Sequence, residues 1–264
     1  MQPSKTLKLS VAIIAYNEEA NILACLESVD FASEFIVVDS LSNDSTVEIA
    51  EKFGAKVTKQ KFLGHVKQKQ LAVDLCSNDW VLCIDADERV SEELKTSILE
   101  LFAKGAEPKS KGYFLSRKSF HLGRWIEHGG WYPDRGIRLF NKHSGAWTGY
   151  NPHDRVEVSG TTEILKGDLL HFVFSSLSHN VETNDRYSSI MAGDLFEAGK
   201  KPSLLKLILK PPFKFFECYI LKAGFLDGLA GFIIAVGAAY SLFLKFAKLW
   251  ELDLKAKNDQ KNKP

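Results

Sequence analysis

The chain has 264 residues, of which 45% are hydrophobic, and its formal net charge is +1. This length and composition suffice for a sizeable core, so we expect one large domain, or a domain with an appendage, rather than a disordered chain. The small net charge hides an asymmetry. Residues 200–264 hold 12 lysines and five acidic residues, a net +7, which leaves −6 for residues 1–199. The basic tail suits an anionic surface, although an ordinary solvated end is the alternative.

Cysteine usage and the amino-terminal segment indicate a reduced, intracellular setting. The four cysteines show no paired short spacing and lie in apolar periodic stretches, so neither a zinc knuckle nor a disulfide framework is predicted. Residues 1–10 contain lysines but lack the apolar stretch and the small-residue cleavage site of a signal peptide. We therefore expect the catalytic part to stay inside the cell.

The first 108 residues alternate between strand and helix patterns. Short apolar runs predict strands at residues 9–14, 35–38, 55–57 and 80–84. Helical spacing follows each of them: from Ile22, from a capping box at Ser45 to Glu48, over residues 65–76, and after a cap at Ser91. Alternation with short links predicts a mostly parallel sheet with helices on both faces, in an α/β domain of the nucleotide-binding type.

The second half has a different character. Residues 112–171 are rich in glycine, tryptophan and histidine, which predicts irregular strands and loops, and helical periodicity returns at about residues 181–198. We predict a domain over residues 1–199, with a nucleotide-binding half at 1–108 and an acceptor half at 109–199. Residues 200–264 form a basic extension of amphipathic and apolar helices.

Acidic residues follow three of the predicted strands. Glu18 comes after the first strand and Asp39 ends the second, while the fourth runs into Asp85-Ala86-Asp87-Glu88. Ligands of open α/β sheets bind at the carboxyl ends of the strands, where these carboxylates would repel one another without a positive charge between them. Oxygen ligands favour Mg²⁺ or Mn²⁺, which usually complete their shell with substrate phosphates. A polar loop capping the next helix is the alternative interpretation of Asp85 to Glu88.

The usual phosphate loops are absent from the sequence, which contains neither Gly-x-x-x-x-Gly-Lys-Ser/Thr nor Gly-x-Gly-x-x-Gly. The stretches Ala12 to Glu19, Ile36 to Thr46 and Trp80 to Glu88 instead resemble the inverting family 2 glycosyltransferases with a GT-A fold. Gly130 to Asp134, Arg138-Leu139-Phe140 and the tail are similar to a bacterial branch that includes lipopolysaccharide-core β-glucosyltransferases.

The resemblance implies roles for individual residues. Asp39 would contact uracil, Asp85 the ribose or base, and Asp87 the metal. The nucleotide pocket would be lined by Tyr16, Asn17 and Glu18. Lys69 falls where the branch has a basic helix near the donor, although a lysine on a solvated helix face is the commoner case.

An inverting transfer also needs a carboxylate base for the acceptor hydroxyl. In the resembling branch the base follows a histidine, and the matching stretch here is Pro152-His153-Asp154, so Asp154 is the candidate and Glu157 the reserve. A solvated acid in a loop turn is the alternative interpretation of Asp154. Arg138 is a candidate for binding the donor phosphates, or an ordinary strand-surface arginine. His128 and His171 are interpreted as satisfied polar groups.

The tail combines lysines with apolar clusters. Residues 204–216 have the pattern of an interfacial helix, and residues 228–244 are an uncharged run of about 17 residues, at the lower limit for crossing a bilayer. Packing of these helices on the domain or on a second subunit is the alternative. We predict attachment to the cytoplasmic side of the inner membrane.

Together with the family resemblance, these observations predict a glycosyltransferase that moves a hexose, in the first instance glucose, from a UDP-sugar to a lipid-linked saccharide in lipopolysaccharide-core biosynthesis. A nucleic-acid partner is not predicted. One rival is a transferase that loads a polyprenyl phosphate, and another is a catalytically silent, membrane-attached binding module.

Overall fold

The computed structural model describes residues 7–103, 107–150, 153–174 and 176–261. The start of the amino-terminal segment and Pro152 of the candidate base motif lie outside these residues. The strands are β1 (Leu7–Ala15), β2 (Ala32–Asp39), β3 (Lys56–Lys59), β4 (Trp80–Asp85), β5 (Glu88–Val90), β6 (Gly112–His121), β7 (Arg124–Trp125), β8 (Asp134–Asn141), β9 (Gly145–Tyr150), β10 (His153–Val158) and β11 (Thr162–His171). The α-helices are α1 (Ile22–Glu27), α2 (Thr46–Phe53), α3 (His65–Asp74), α4 (Glu92–Phe102), α5 (Leu177–Glu197), α6 (Leu204–Phe216) and α7 (Gly228–Lys261).

The first half forms the parallel part of the sheet, as its alternating pattern predicts. Strands β3, β2, β1 and β4 lie side by side in that order and all run in one direction. The register pairs Ala15 with Asp39 and Ile14 with Asp85, so the ends of β2 and β4 flank the end of β1. The carboxyl ends of these strands therefore meet at one edge of the sheet.

The second half completes the same sheet, whereas the sequence predicted only irregular strands and loops there. Strand β8 pairs antiparallel with β4, β6 pairs antiparallel with β8, and β11 and β5 follow. The whole sheet is therefore mixed, with its parallel strands confined to the first half. Glycines and polar residues interrupt the apolar runs of these strands and conceal them, as in Asp134 to Asn141, where only Ile137, Leu139 and Phe140 are apolar.

The predicted helix starts at Ser45 and Ser91 are both confirmed, but the predicted capping bond forms only at Ser91. Ser91 caps α4, because its side chain accepts a hydrogen bond from Leu94 N at 3.3 Å. At the start of α2 the Ser45 side chain makes no capping bond. Asp44 takes that role instead and accepts from Thr46 N at 3.0 Å. Its other oxygen accepts from Glu19 N, in the segment after β1, at 3.1 Å.

The core lies on both faces of the sheet. Apolar side chains of β1, β2 and β4 alternate between two clusters, as the period of a strand requires. Val11 and Ile13 pack with Ile22 and Leu26 of α1, while Ala12 and Val38 pack with Ala72 of α3. Helix α3 therefore packs on one face of β1 and β2, and it also contacts β9.

By packing, the described residues divide into two units. The first comprises the described parts of residues 1–118 and 133–172, and the second comprises residues 119–132 and the described residues after 172. We expected the boundary near residue 199, so α5 was assigned to the transferase domain. The structure groups α5 with the carboxyl-terminal helices, because it packs along α7.

The second unit is built around α7, which packs against both α5 and α6. A π-helical turn (Glu217–Leu221) and a 3₁₀ turn (Gly224–Asp227) link α6 to α7. Within the described residues one helical stretch, Gly224–Asp259, is long and apolar enough to cross a membrane by length and composition, with a mean hydropathy of 1.9 over its most apolar window.

Candidate functional site

The site lies at the carboxyl edge of the parallel strands and belongs entirely to the first unit. The loop after β1 holds the loop after β2 through a set of hydrogen bonds. Asn17, in a left-handed backbone conformation with φ 55°, donates from its N–H to Ser42 and accepts from Asn43 N. Glu18 N donates to Thr46 Oγ1 at 2.7 Å. Two loops that are 25 or more residues apart in sequence thus form one wall.

The other predicted residues of this wall differ in exposure. Tyr16 is 58% exposed at the rim. Asp39 is fully buried, and its two oxygens accept hydrogen bonds from the Ser42 N–H and hydroxyl. The carboxylate of Asp39 therefore fixes its own loop, and a uracil base would have to share its remaining lone pairs.

Glu18 is held where its charge is disfavoured. Burial raises the pKa of this carboxyl group to about 6, although a hydrogen bond from Asn21 acts in the opposite direction. The charges of Asp87, Asp44 and Asp85 also raise the pKa of Glu18. Burial in the first place, and the neighbouring acids in the second, therefore hold the pKa of Glu18 above its ordinary value.

Lys69 is the centre of the site. It lies on α3, is 8% exposed, and its Nζ lies 3.2 Å from Asp85 Oδ1 and 3.0 Å from Asp154 Oδ2. The same ammonium lies over the ring of Trp147, 4.7 Å from its centroid. The alternative interpretation of Lys69, a lysine on a solvated helix face, is therefore wrong.

Arginines on the antiparallel strands supply more positive charge beside β4. Arg138 of β8 lies 3.9 Å from Asp85 Oδ2 and 3.6 Å from Glu88 Oε1, and Arg117 of β6 lies 3.5 Å from Glu88 Oε1. Glu88 is fully buried. Because Arg138 is largely buried, the idea of an ordinary strand-surface arginine is also wrong.

These cations decide the ionisation of Asp85. Burial by itself would raise the pKa of Asp85, but Lys69, Arg138 and Arg117 hold it well below its usual range. We expected a metal ion to relieve the repulsion among the clustered acids. In the structure, the side chains of the protein itself relieve it at Asp85 and Glu88.

Arg138 retains hydrogen-bonding capacity in this site. Among the residues that the structure describes, its buried Nη1 atom has no hydrogen-bond partner. A buried guanidinium donor left in this state costs free energy unless a ligand accepts from it. Arg138 is therefore suited to an anionic ligand such as a phosphate.

Asp154 belongs to a strand rather than to a loop turn. It lies on β10, and its side chain is 15% exposed. Val156, two residues on, is buried, as expected for the same face of the strand. Glu157, the reserve candidate, lies on the opposite face, is 60% exposed and pairs with Arg155. Of these two acids, only Asp154 contacts Lys69.

Asp87 points towards a histidine that the sequence interpretation set aside. Asp87 Oδ2 lies 3.2 Å from Nε2 of His171, which ends β11, and Asp87 O accepts from Phe172 N at 3.0 Å. Strand β11 brings His171 here by pairing it with Glu88. Only the antiparallel pairing of β11 with β5 identifies this neighbour, because the two residues are 84 positions apart.

The donor set at Asp87 suits a cation that is held chiefly by its substrate. Within the described parts of the chain, no group of three or more His, Cys, Asp and Glu side chains is arranged to hold a metal ion. One carboxylate oxygen and one imidazole nitrogen leave most coordination positions open. Mg²⁺ and Mn²⁺ sites of this kind are usually completed by water and phosphate oxygens.

Comparison with known proteins gives consistent matches over most of the chain. The family model described as "Glycosyl transferase family 2" matches residues 10–154. An uncharacterized glycosyltransferase of Rickettsia typhi is 35% identical over 261 residues, which cover 95% of this chain and 89% of that protein. The lipopolysaccharide core biosynthesis glycosyltransferase LpsC of Rhizobium meliloti is 31% identical over 252 residues, 93% of each chain.

Solved structures show a looser likeness. Residues 1–349 of TarS from S. aureus, in complex with UDP, have a TM-score of 0.48 at 17% identity, covering 96% of this chain and 92% of that chain. A Mycobacterium tuberculosis glucosyl-3-phosphoglycerate synthase, in complex with Mn²⁺, UDP and glucosyl-3-phosphoglycerate, has a TM-score of 0.44 at 19% identity, covering 74% and 81%. These superpositions are too loose to assign a role to any residue.

Proposed function

The chain belongs to glycosyl transferase family 2, and from this membership we propose that it is an inverting hexosyltransferase with a UDP-sugar donor, in the first instance UDP-glucose. We propose a saccharide of the lipopolysaccharide core as the acceptor. The support for this acceptor is the relative LpsC, whose name assigns it to core biosynthesis and which matches 93% of this chain.

One observation carries the proposed mechanism: a single buried ammonium group binds both Asp85 and Asp154. Asp85 is our candidate for the donor nucleoside and Asp154 for the base, so Lys69 holds the two groups at a fixed separation. A donor bound at Asp85 and an acceptor hydroxyl bound at Asp154 would then react as if each were present at a very high local concentration.

In the proposed reaction, Asp154 takes the proton of the acceptor hydroxyl as its oxygen attacks the anomeric carbon. The bond from that carbon to the diphosphate oxygen breaks, and UDP leaves. In this mechanism Arg138 and Lys69, which both lie beside Asp85, stabilise the negative charge that develops on the diphosphate. A divalent cation held by Asp87 and His171 would neutralise part of the same charge.

The first test uses the purified full chain. We expect UDP-sugars to raise its melting temperature more strongly with Mn²⁺ than without, because a bound ligand stabilises the folded state by mass action. Transfer to a truncated core saccharide is then measured by UDP release, and NMR of the product reports whether the anomeric configuration inverts. Activity with a polyprenyl phosphate but with no saccharide hydroxyl would overturn the proposed acceptor.

The second test addresses the base. Asp154→Asn should lower kcat by about 10²–10⁴-fold while the protein still binds the donor, because only proton transfer is lost. Glu157→Gln is the matched control and should keep the wild-type rate, since Glu157 faces solvent beside Arg155. Unchanged turnover in Asp154→Asn would reject the base, and no turnover by the unmodified chain with any donor would favour a silent binding module.

We also propose that the carboxyl-terminal helices hold the enzyme at the cytoplasmic face of the inner membrane, where a lipid-linked acceptor is confined to the same plane. The apolar stretch Gly224–Asp259 supports this attachment. Confinement of both partners to one surface raises their effective concentration.

A further inference from the structure

Helix α6 presents four rows of residues at a spacing of four, and the rows have different chemistry. One row faces the protein: Leu207, Pro211 and Phe215 are half-buried or buried. Two adjacent rows are apolar and mostly exposed, and they contain Leu204, Ile208, Pro212 and Phe216, then Leu205, Leu209 and Phe213. The last row is Lys206 and Lys210, which are exposed, and Lys214, which is half-buried and pairs with Glu217 at 3.0 Å. Residues spaced by four share one side of a helix, so apolar groups cover about half of the circumference and lysines line one border.

Helix α7 continues the exposed apolar surface. Its exposed large residues recur at intervals of three and four, the spacing of one helix face: Leu229, Phe232, Val236, Tyr240 and Phe243. Leu229 is 74% exposed and Leu205, on α6, is 68% exposed. Isolated apolar residues on a surface are ordinary, but ordered rows on two packed helices mark an interaction surface.

Aromatic contacts join the two helices into one surface. Phe215 of α6 lies 5.7 Å from Phe232 of α7 between ring centroids, and Tyr219 of the π-helical turn lies 5.3 Å from Phe215 and 5.7 Å from Phe232. We call the exposed face of α6, the turns at 217–227 and the stripe on α7 the apolar platform. All of these contacts lie within the second unit.

We propose that the apolar platform inserts into one leaflet of an anionic bilayer, with α6 and α7 lying in the plane of the membrane and α7 not crossing it. The lysine row on α6 supports an anionic lipid surface as the partner. Lysines beside an apolar face reach lipid phosphates while their methylene groups stay in the apolar layer. The net +7 of residues 200–264 acts in the same direction.

The packing of α7 against α5 opposes a transmembrane arrangement. Lys248 of α7 donates to Asp185 Oδ1 at 2.6 Å, Ser188 Oγ at 2.9 Å and Ser189 Oγ at 2.7 Å, all on α5. Gly237, in the middle of the apolar stretch, lies against Asn180 and Asn184 of the same helix. If α7 crossed the bilayer, α5 would have to leave it or carry these polar groups into hydrocarbon, and both are costly.

The start of α7 is anchored in the same way. Asp227 is 1% exposed, and its oxygens accept from Glu127 N at 3.2 Å and His128 N at 2.8 Å. Arg124 pairs with the same carboxylate at 3.2 Å. A buried carboxylate with this many partners would lose them if the amino-terminal end of α7 moved into a bilayer.

Helix α6 is itself suited to a shallow position. Pro211 and Pro212 have no N–H, so the carbonyls of Leu207 and Ile208 receive no bond from the residue four positions on. Unpaired carbonyls are tolerated at the lipid headgroups, where water is present, but not in the hydrocarbon centre. This position puts the exposed side chains of α6 into the outer part of the acyl layer and leaves its backbone hydrated.

Vesicle binding of the purified full chain tests the partner. We expect co-sedimentation with vesicles of equal parts phosphatidylglycerol and phosphatidylcholine, and weak co-sedimentation with phosphatidylcholine alone. Neutralising Lys206 and Lys210 to Gln should lower partitioning onto the anionic vesicles about 25-fold, from roughly fivefold for each lysine. The control K8Q/K166Q, which removes two exposed lysines of the first unit, should bind as the wild type does.

The apolar contribution is tested by Leu205→Asp combined with Leu209→Asp, with Ile164→Asp on β11 as the control for an exposed apolar residue elsewhere. The double variant should lose binding to both kinds of vesicle, and the control should keep it. Size and light scattering are measured in parallel. A dimer that the double variant dissociates, with vesicle binding unchanged, would show that a second copy of this chain covers the platform and would overturn the proposal.

Topology is tested with single cysteines in the full chain, since all four native cysteines are buried. Asp259→Cys near the end of α7 and Lys52→Cys in the first unit should both react with an impermeant maleimide in inside-out membrane vesicles, and neither should react in intact spheroplasts. Protection of Asp259→Cys in the inside-out vesicles, with Lys52→Cys labelled, would mean that α7 crosses the membrane. The inference rests on the proposed membrane attachment but not on the transfer reaction, so failed binding and failed donor turnover are separate results.

Discussion

Replacing Lys69 by methionine is the most direct perturbation of the site, because one ammonium group separates two carboxylates. Its Nζ lies 3.2 Å from Asp85 and 3.0 Å from Asp154, so the nearest oxygens of the two acids are at most about 6.2 Å apart. Without Lys69, two like charges at this distance repel by about 3 kcal/mol at an effective dielectric constant of about 20. The methionine side chain keeps the apolar contact with Trp147.

We expect Lys69→Met to lower the free energy of unfolding by about 3 kcal/mol at pH 7. Loss of one partner from a buried ion pair costs about 3–5 kcal/mol, and the lower end applies because the side chains of Asp85 and Asp154 are 24% and 15% exposed. Urea unfolding followed by circular dichroism measures this change. Lys67→Met, on the exposed side of the same helix, is the control and should change stability by no more than about 0.5 kcal/mol.

A double-mutant cycle identifies the cause. In the Lys69→Met background, Asp154→Asn removes one of the two facing charges and should restore about 1–3 kcal/mol, whereas in the wild-type background it should destabilise the protein. The reasoning is refuted if Lys69→Met unfolds at the wild-type urea concentration, or if Asp154→Asn costs the same in both backgrounds.

Three further predictions concern other parts of the first unit. His171→Ala should weaken Mn²⁺ binding in the presence of UDP at least about tenfold by calorimetry, whereas His143→Ala should leave it unchanged; equal affinities would remove the histidine from the metal site. Three hydrogen bonds outweigh the effect of burial and lower the pKa of Glu34 to about 2, so its contribution to stability, at most about 3 kcal/mol, is complete above about pH 4.5 and is lost as the pH falls towards 2. Glu34→Gln should therefore flatten the dependence of the urea midpoint on pH in that range, and an unchanged dependence would contradict the assignment. Gly167→Ala should destabilise the chain by about 3 kcal/mol or more in the same urea assay, because φ is +88° and the new methyl group would lie 2.7 Å from a backbone atom of α4. The control is Gly193→Ala, whose methyl group would meet nothing within 4 Å and which should be neutral or stabilising.

Local sequence patterns identified the parallel half of the molecule and the edge where the site lies. Each apolar run of β-branched residues is followed by a segment with the spacing of a helix. This alternation of strand and helix predicts parallel strands, whose carboxyl ends lie at the same edge of the sheet. Asp39 and Asp85 could therefore be assigned to one edge from the sequence, and the register of β1 with its two neighbours agrees with that placement. The family resemblance also came from these local segments.

The partners of those acids depended on the order of the strands. Lys69 meets Asp154 across 85 residues because α3 packs against the separate two-stranded sheet of β9 and β10. Asp87 meets His171 across 84 residues because β11 pairs antiparallel with β5. The sequence interpretation supplied a metal ion to balance the acids at Asp85, where the structure has lysine and arginine side chains.

The periodicity of side chains determines whether a segment is a strand or a helix, and which of its faces is apolar, because both properties arise within a few residues. It contains no information about which distant face covers that surface. The same limit applies to the tail: its composition indicated an affinity for membranes, but only the contacts of α5 with Gly237 and Lys248 show which side of α7 is already covered by protein. Contacts of this kind depend on the packing of elements that are far apart in the chain, and so the tertiary structure alone decides them.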